Sequence, residues 1–395
     1  MATSASTANW SAAASRDPGL RNSAGVPWYV WCAVFAVTSA TIGAYWDISW
    51  HSSIGRDTFW TPAHVAIYLC GVLAGVAFGY LVLSTTFSKS SPLSEYSVHI
   101  WGFRAPLGAF IASWGGVAML TSAPFDNWWH AAYGLDVKIV SPPHMLLFIG
   151  VYAVILGTLA LIAGQINRST DKTQRTGRWL FLYVTGIMLV QAMIIIQEYT
   201  ERTELHSALP YIVLGAIPPI TLGVGFRVTR IKFAATFIAG FYTLLLIGLI
   251  FILPLFPAEP KLGPVYQHVT QFIPPEFPLL LIAPAFVLDL LWQRVQNRHL
   301  WRTAAISAVL YLGILLAVEW PFASFLMSPA ARNRFFGSMY FWYGLPPTSY
   351  MARNMFLSDG TPAEFWRGIA LALLLCTLAM RWGLSRGAWM RDIKR

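Results

Sequence analysis

The stretch Pro62-Ala63-His64-Val65-Ala66-Ile67-Tyr68-Leu69-Cys70-Gly71-Val72-Leu73-Ala74-Gly75-Val76-Ala77-Phe78-Gly79-Tyr80-Leu81-Val82-Leu83-Ser84-Thr85 contains no Asp, Glu, Lys or Arg. A helix needs about 20 such apolar residues to cross the hydrocarbon core of a bilayer, so this run predicts a transmembrane helix. Similar runs occur at roughly 27–46, 105–123, 144–165, 178–197, 209–226, 232–255, 275–293, 303–327 and 368–385. The expected fold is therefore an all-α, polytopic transmembrane helical bundle of about ten spans. Residues 1–26 are Ser/Ala-rich and polar, and predict a flexible N-terminal tail. The first apolar run flows straight into Asp47 and His51, which favours an uncleaved first helix over a signal peptide.

Composition agrees. Of 395 residues, 56% are hydrophobic and 11% charged, where a soluble domain carries roughly 25% charged residues. A mean hydropathy of +0.55 excludes a soluble enzyme and a disordered chain. The net charge of +10 marks a membrane face and not a nucleic-acid surface. The 18 Trp, 16 Tyr and 25 Phe suit the lipid–water boundary. The three cysteines, Cys32, Cys70 and Cys376, fall in apolar runs without C-x-x-C spacing, so neither a disulfide framework nor a zinc ribbon is expected.

Lys and Arg orient the spans, because basic residues concentrate on the cytoplasmic side. With the N-terminus inside and alternating passes, 19 of the 27 Lys and Arg residues fall in the cytoplasm. This predicts a multi-pass inner-membrane protein with both termini cytoplasmic. The segment 328–367 is then a long outer connection with room for a re-entrant or interfacial piece. His51, His64, His130, His144, His206 and His268 all land at the outer side.

Four of these histidines belong to a repeat. Asp47-Ile48-Ser49-Trp50-His51 is followed by Gly55-Arg56-Asp57 and by Thr61-Pro62-Ala63-His64. Asp126-Asn127-Trp128-Trp129-His130 is followed by Gly134-Leu135-Asp136 and by Ser141-Pro142-Pro143-His144. Both read D-x-x-W-H, G-x-D, [ST]-P-x-H, so residues 27–165 form a helical hairpin used twice, and 166–395 supply further helices of the same bundle. An acid and a His four residues apart share one helix face. The proline starts the next helix and sets the second His in its first turn. Asp47, His51 and His64 are thus one candidate ligand set, and Asp126, His130 and His144 another. Asp/His/His suits Cu(II), Zn or Fe(II), and three protein ligands leave positions open for chemistry. Asp57 and Asp136 read as turn or capping residues, and Trp50, Trp128 and Trp129 as interface anchors.

The first copy, with its Asp47-x3-His51-x12-His64 spacing, Arg56-Asp57-Thr58 and Thr61-Pro62-Ala63-His64, resembles the C subunit of copper membrane monooxygenases, the family of particulate methane and ammonia monooxygenases. The resemblance covers roughly residues 27–165. It implies a copper site at Asp47, His51 and His64. It implies a second at His130 and His144, with Asp126 standing where that family has Asn. It further implies one or two copper ions, a small hydrophobic substrate, O₂, a reductant such as quinol and partner subunits. The alternatives from other classes are a metal or small-solute transporter and a structural or assembly subunit.

Outside the repeat, Glu198, Glu201, Glu204 and His206 form a charged outer stretch. His268, followed by Pro274-Pro275-Glu276 and an apolar run, makes a faint third copy. Asp289 needs a partner in its apolar span, and Arg294 or Arg298 is near enough in sequence. Glu319 is placed to face the bundle interior. Gly215-Ala216-Ile217-Pro218-Pro219 and Gly344-Leu345-Pro346-Pro347 read as helix breaks.

Overall fold

The computed structural model describes residues 25–55, 57–88, 91–134, 140–169, 171–261, 268–295, 299–337, 339–341, 349 and 358–393. Arg56, Asp136, the Gly344–Pro347 stretch and most of the N-terminal tail lie outside them. Among the described residues the chain is an all-α bundle of α1 (Trp28–Ser53), α2 (Pro62–Phe87), α3 (Leu107–Tyr133), α4 (Pro142–Arg168), α5 (Asp171–Ile195), α6 (Ala208–Ala216), α7 (Pro218–Thr229), α8 (Ala234–Ile252), α9 (Ile282–Arg294), α10 (Leu300–Leu326) and α11 (Pro362–Arg391). A small antiparallel hairpin, β1 (Val98–Ile100) with β2 (Phe103–Ala105), lies between α2 and α3. Among the described residues nine helices, counting α6 with α7 as one, are long and apolar enough to cross a membrane. This is a multi-pass membrane protein.

The expected span 275–293 is built differently. Pro274, Pro275 and Pro278 lack the N–H that a helix needs, and residues 274–280 carry no regular structure before α9 begins. This segment still returns along α8. Phe272 N–H donates to Phe256 O, Leu279 N–H to the Tyr242 hydroxyl, and Ala235 and Thr236 N–H to Asp289. The segment is irregular through residue 280 and helical from Ile282, and α9 by itself is shorter than a membrane span. Irregular backbone survives at membrane depth only where protein satisfies its polar groups, and here the partners come from α8 and α10. The Gly215–Pro219 break occurs as expected, between α6 and α7.

Two hydrophobic cores meet on α5. Phe181, Val184, Ile187 and Met188 join a core built mainly from α1 to α4, while Leu182, Leu189, Val190 and Met193 join one built mainly from α6 to α11. The first core is closed by small residues. A Cβ added at Gly115 on α3 would lie 2.6 Å from the Gly150 carbonyl oxygen on α4, and one added at Gly150 would lie 2.7 Å from the Met119 side chain. Lipid offers no hydrophobic drive between helices, so close backbone packing of this kind holds them together.

Candidate metal centre

Both copies of the repeat place their ligands in the same way. Asp47 and His51 lie one turn apart at the end of α1, and Asp126 and His130 at the end of α3. Each helix is followed by a glycine in the left-handed region, Gly55 at φ +83° and Gly134 at φ +90°, which only glycine adopts at no cost. The chain then turns back to the next helix, whose first turn carries the second histidine. Thr61 precedes Pro62 and His64; Ser141 precedes Pro142 and His144, with the His144 N–H pointing at the Ser141 hydroxyl at 3.5 Å.

In the first group His51 Nε2 lies 3.7 Å from Asp47 and 3.5 Å from Asp57, and His64 Nε2 lies 3.1 Å from Asp47 and 3.3 Å from Asp57. In the second, His130 and His144 Nε2 are each 3.4 Å from Asp126. Within each group the ligand atoms all lie within 4.8 Å of one another, close enough to gather round one ion. The first set holds four residues, because Asp57, read from sequence as a turn residue, is drawn in. Its side chain is only 7% exposed, less than that of Asp47 at 20%. The D of the repeated G-x-D was the signal that could have found it. The corresponding Asp136 lies outside the described residues.

Two details fit a cation. Asp47 Oδ1 and Asp126 Oδ1 are buried and lack a hydrogen bond, although His64 and His144 Nε2 stand 3.1 and 3.4 Å away. Each oxygen thus faces an imidazole nitrogen across a gap that a proton or a shared cation can fill, and a buried oxygen needs one or the other. The far side of two imidazoles is anchored. Nδ1–H of His64 donates to the Thr58 carbonyl at 3.0 Å and that of His130 to the Gly134 carbonyl at 3.2 Å. A carbonyl only accepts, so these bonds fix the tautomer and present the Nε2 lone pair inward, as in protein metal sites. The two groups also adjoin, with His64 and Asp126 in electrostatic reach of each other. Two His/Asp groups can each hold a metal ion.

The remaining candidates are not gathered into either group. His206 Nε2 lies 3.0 Å from the Trp320 carbonyl and its ring packs on Trp320, tying the outer loop to α10. His268 is exposed, and Glu276 pairs with Arg202 at 3.2 Å, so the faint third copy forms no metal group among the described residues. Glu198 and Glu201 line a separate cavity. Asp289 does not pair with Arg294, and Arg298 lies outside the described residues; instead Asp289 accepts from Ala235 N–H, Thr236 N–H and the Thr236 hydroxyl at the start of α8. The positive end of a helix offers donors where no cation is needed. Glu319 faces the interior as expected and is fully buried.

Comparison with protein-family models, curated proteins and solved structures finds no match for the chain.

Proposed function

We propose that the chain is a copper-dependent membrane oxidoreductase of the monooxygenase type, acting at its outer face on a small hydrophobic substrate with O₂. The observation that carries this is the pair of adjoining His/Asp groups, each with a buried, unbonded carboxylate oxygen. The resemblance of the first repeat to the copper monooxygenase C subunit supplies the metal and the reaction class. Asp47, His51, Asp57 and His64 would hold one ion, and Asp126, His130 and His144 a second.

Bound copper would supply O₂ activation and one-electron chemistry. The rest falls to the chain. The Thr58 and Gly134 carbonyls keep the His64 and His130 rings oriented. Among the described residues the second group gathers Asp126, His130 and His144, one ligand fewer than the first, and is the more open set for an incoming molecule. Phe125, Trp128, Trp129 and Tyr133 pack beside it, with Trp129–Tyr133 ring centroids 4.5 Å apart. They form a partly exposed aromatic surface beside the group that suits contact with an apolar molecule. A reductant, quinol being one such donor, and partner subunits would complete the reaction.

The test is metal content by mass spectrometry on the detergent-purified full chain after copper loading. Two copper ions per chain are expected, one lost in His51→Ala and the other in His130→Ala. Retention of no copper sinks the proposal. Copper bound in both groups without O₂ consumption in the presence of a reductant and small hydrocarbons sinks the oxidoreductase part alone. A second reading, a metal transporter, is favoured by the broken pass through residues 274–294, since interrupted helices mark transporter sites. It predicts metal flux into proteoliposomes.

A further inference from the structure

Glu319 sits on α10 with its side chain fully buried. One carboxyl oxygen, Oε1, accepts the Leu280 N–H at 2.6 Å, and the other, Oε2, is buried without a hydrogen-bond partner. Leu280 lies at the entry to α9, so the carboxyl faces the N-terminal end of that helix. A charged group in such surroundings is expensive and tends to be functional. The nearest cation, Arg202, is already committed. Its guanidinium meets Glu276 at 3.2 Å and donates to the Phe277 carbonyl at 2.7 Å and the Thr200 carbonyl at 3.0 Å. The other titratable groups facing Glu319 are phenols, Tyr211 from α6, Tyr242 from α8 and Tyr311 on α10 itself. An ionised carboxylate would therefore have an oxygen buried with nothing to offset it, whereas a carboxylic acid puts a hydrogen on that oxygen and removes the charge.

A cavity of about 290 Å³ approaches this carboxyl from the outer end of the bundle. Glu198, Glu201, Arg202 and Glu276 line it, and so does Tyr242. Tyr242 links the cavity to Glu319. Its hydroxyl oxygen accepts the Leu279 N–H at 3.3 Å, while the next amide, Leu280 N–H, goes to Glu319. Consecutive amides thus take the phenol and the carboxyl as their acceptors, the two groups lie within electrostatic reach of each other, and the phenol keeps its own proton to donate. Among the described residues no third group of metal ligands is gathered here, so the site suits a proton and not a multivalent ion.

We infer that Glu319 is a proton-binding site inside the bundle, loaded from the outer cavity by way of Tyr242. The step is a proton transfer alone: water in the cavity gives up a proton, the Tyr242 hydroxyl relays it through a bridging water, Glu319 Oε2 takes it, and no electrons move. It stands apart from the two metal groups and does not depend on them. Infrared spectroscopy of the full chain in lipid nanodiscs at neutral pH tests it. Wild type should show the carbonyl stretch of a protonated carboxyl in an apolar site, and Glu319→Gln should lack it. Gln keeps an acceptor for the Leu280 N–H, so that variant retains the fold. On transfer to D₂O, Tyr242→Phe should keep the band but exchange at least about tenfold more slowly than wild type. A hydrophobic carbodiimide should label Glu319 in wild type, as peptide mass reads. The inference is overturned if Glu319→Gln removes no band, if excess sodium abolishes the band and the labelling, or if Tyr242→Phe exchanges at the wild-type rate.

Discussion

At the scale of single residues, the two ligand triads were legible because spacing encodes geometry. Four residues along a helix return to one face, and a proline fixes where the next helix starts. Asp57 was not legible, because a G-x-D tripeptide reads equally well as a turn. Only the folded chain shows it within 3.5 Å of both His51 and His64. Its removal is therefore predicted to matter. Asp57→Ala should lower the affinity of the first group by about 10–100-fold, the range seen when supporting carboxylates of metal sites are lost. The second group should be unchanged, and competition with a chelator reads both. A surface residue gives a prediction of opposite sense. Burial, reinforced by Glu198, pushes the Glu201 carboxyl above its ordinary range against the pull of Thr203 and Arg202. The folded state then holds that proton more tightly than the unfolded one. Its contribution is present below the ordinary carboxylate range and is lost as pH rises through the folded value. Glu201→Gln should accordingly raise the unfolding free energy at neutral pH by about a few tenths of a kcal/mol once solvent screening is allowed for, read as a slightly higher thermal midpoint. That gain should vanish in acid.

At the scale of elements, the hairpin is the unit that makes a site, and its precision depends on how closely its two helices approach. α3 and α4 are held together through Gly115 and Gly150, where no side chain fits without displacement. Asp126 and His130 ride on one helix and His144 on the other, so spreading the pair pulls the second group apart. Gly115→Val should cost about 1–3 kcal/mol through overpacking. It should also lose the second metal before the protein unfolds, while the first metal stays. Metal content measured on the folded, monodisperse variant reads this; retention of both ions would show that the group tolerates helix separation. Helix type was legible from apolar runs alone, and nine of the ten expected spans are found among the described residues. The run through 275–293 was misleading in form, because hydropathy reports only that a segment avoids water. Pro274, Pro275 and Pro278 decide that its first part stays extended, and the partners that make this tolerable, Tyr242 and Glu319, are remote in sequence.

At the scale of the whole molecule, the ten passes expected from sequence are an even number, and on that expectation both ends of the chain should emerge on one side and the metal groups on the other. The assignment of sides rests on Lys and Arg. Arg168, Lys172, Arg175 and Arg178 flank the α4–α5 connection, whereas the ends of α1 and α3 carry His and Asp. Basic residues near the ends of spans are retained in the cytoplasm, so the expectation is Asn127, beside the second metal group, outside and Lys172 inside. Both positions are exposed, so a cysteine placed at either is accessible to reagent. In a Cys32→Ser background, a membrane-impermeant maleimide added to intact cells should label Asn127→Cys, and should label Lys172→Cys only after the membrane is opened. The reverse pattern would put the metal groups on the cytoplasmic face and turn the proposed outer chemistry into inner chemistry. Labelling of both from outside would mean that α4, the helix between them, does not cross, and the hairpin could then not hold His144 at a membrane boundary.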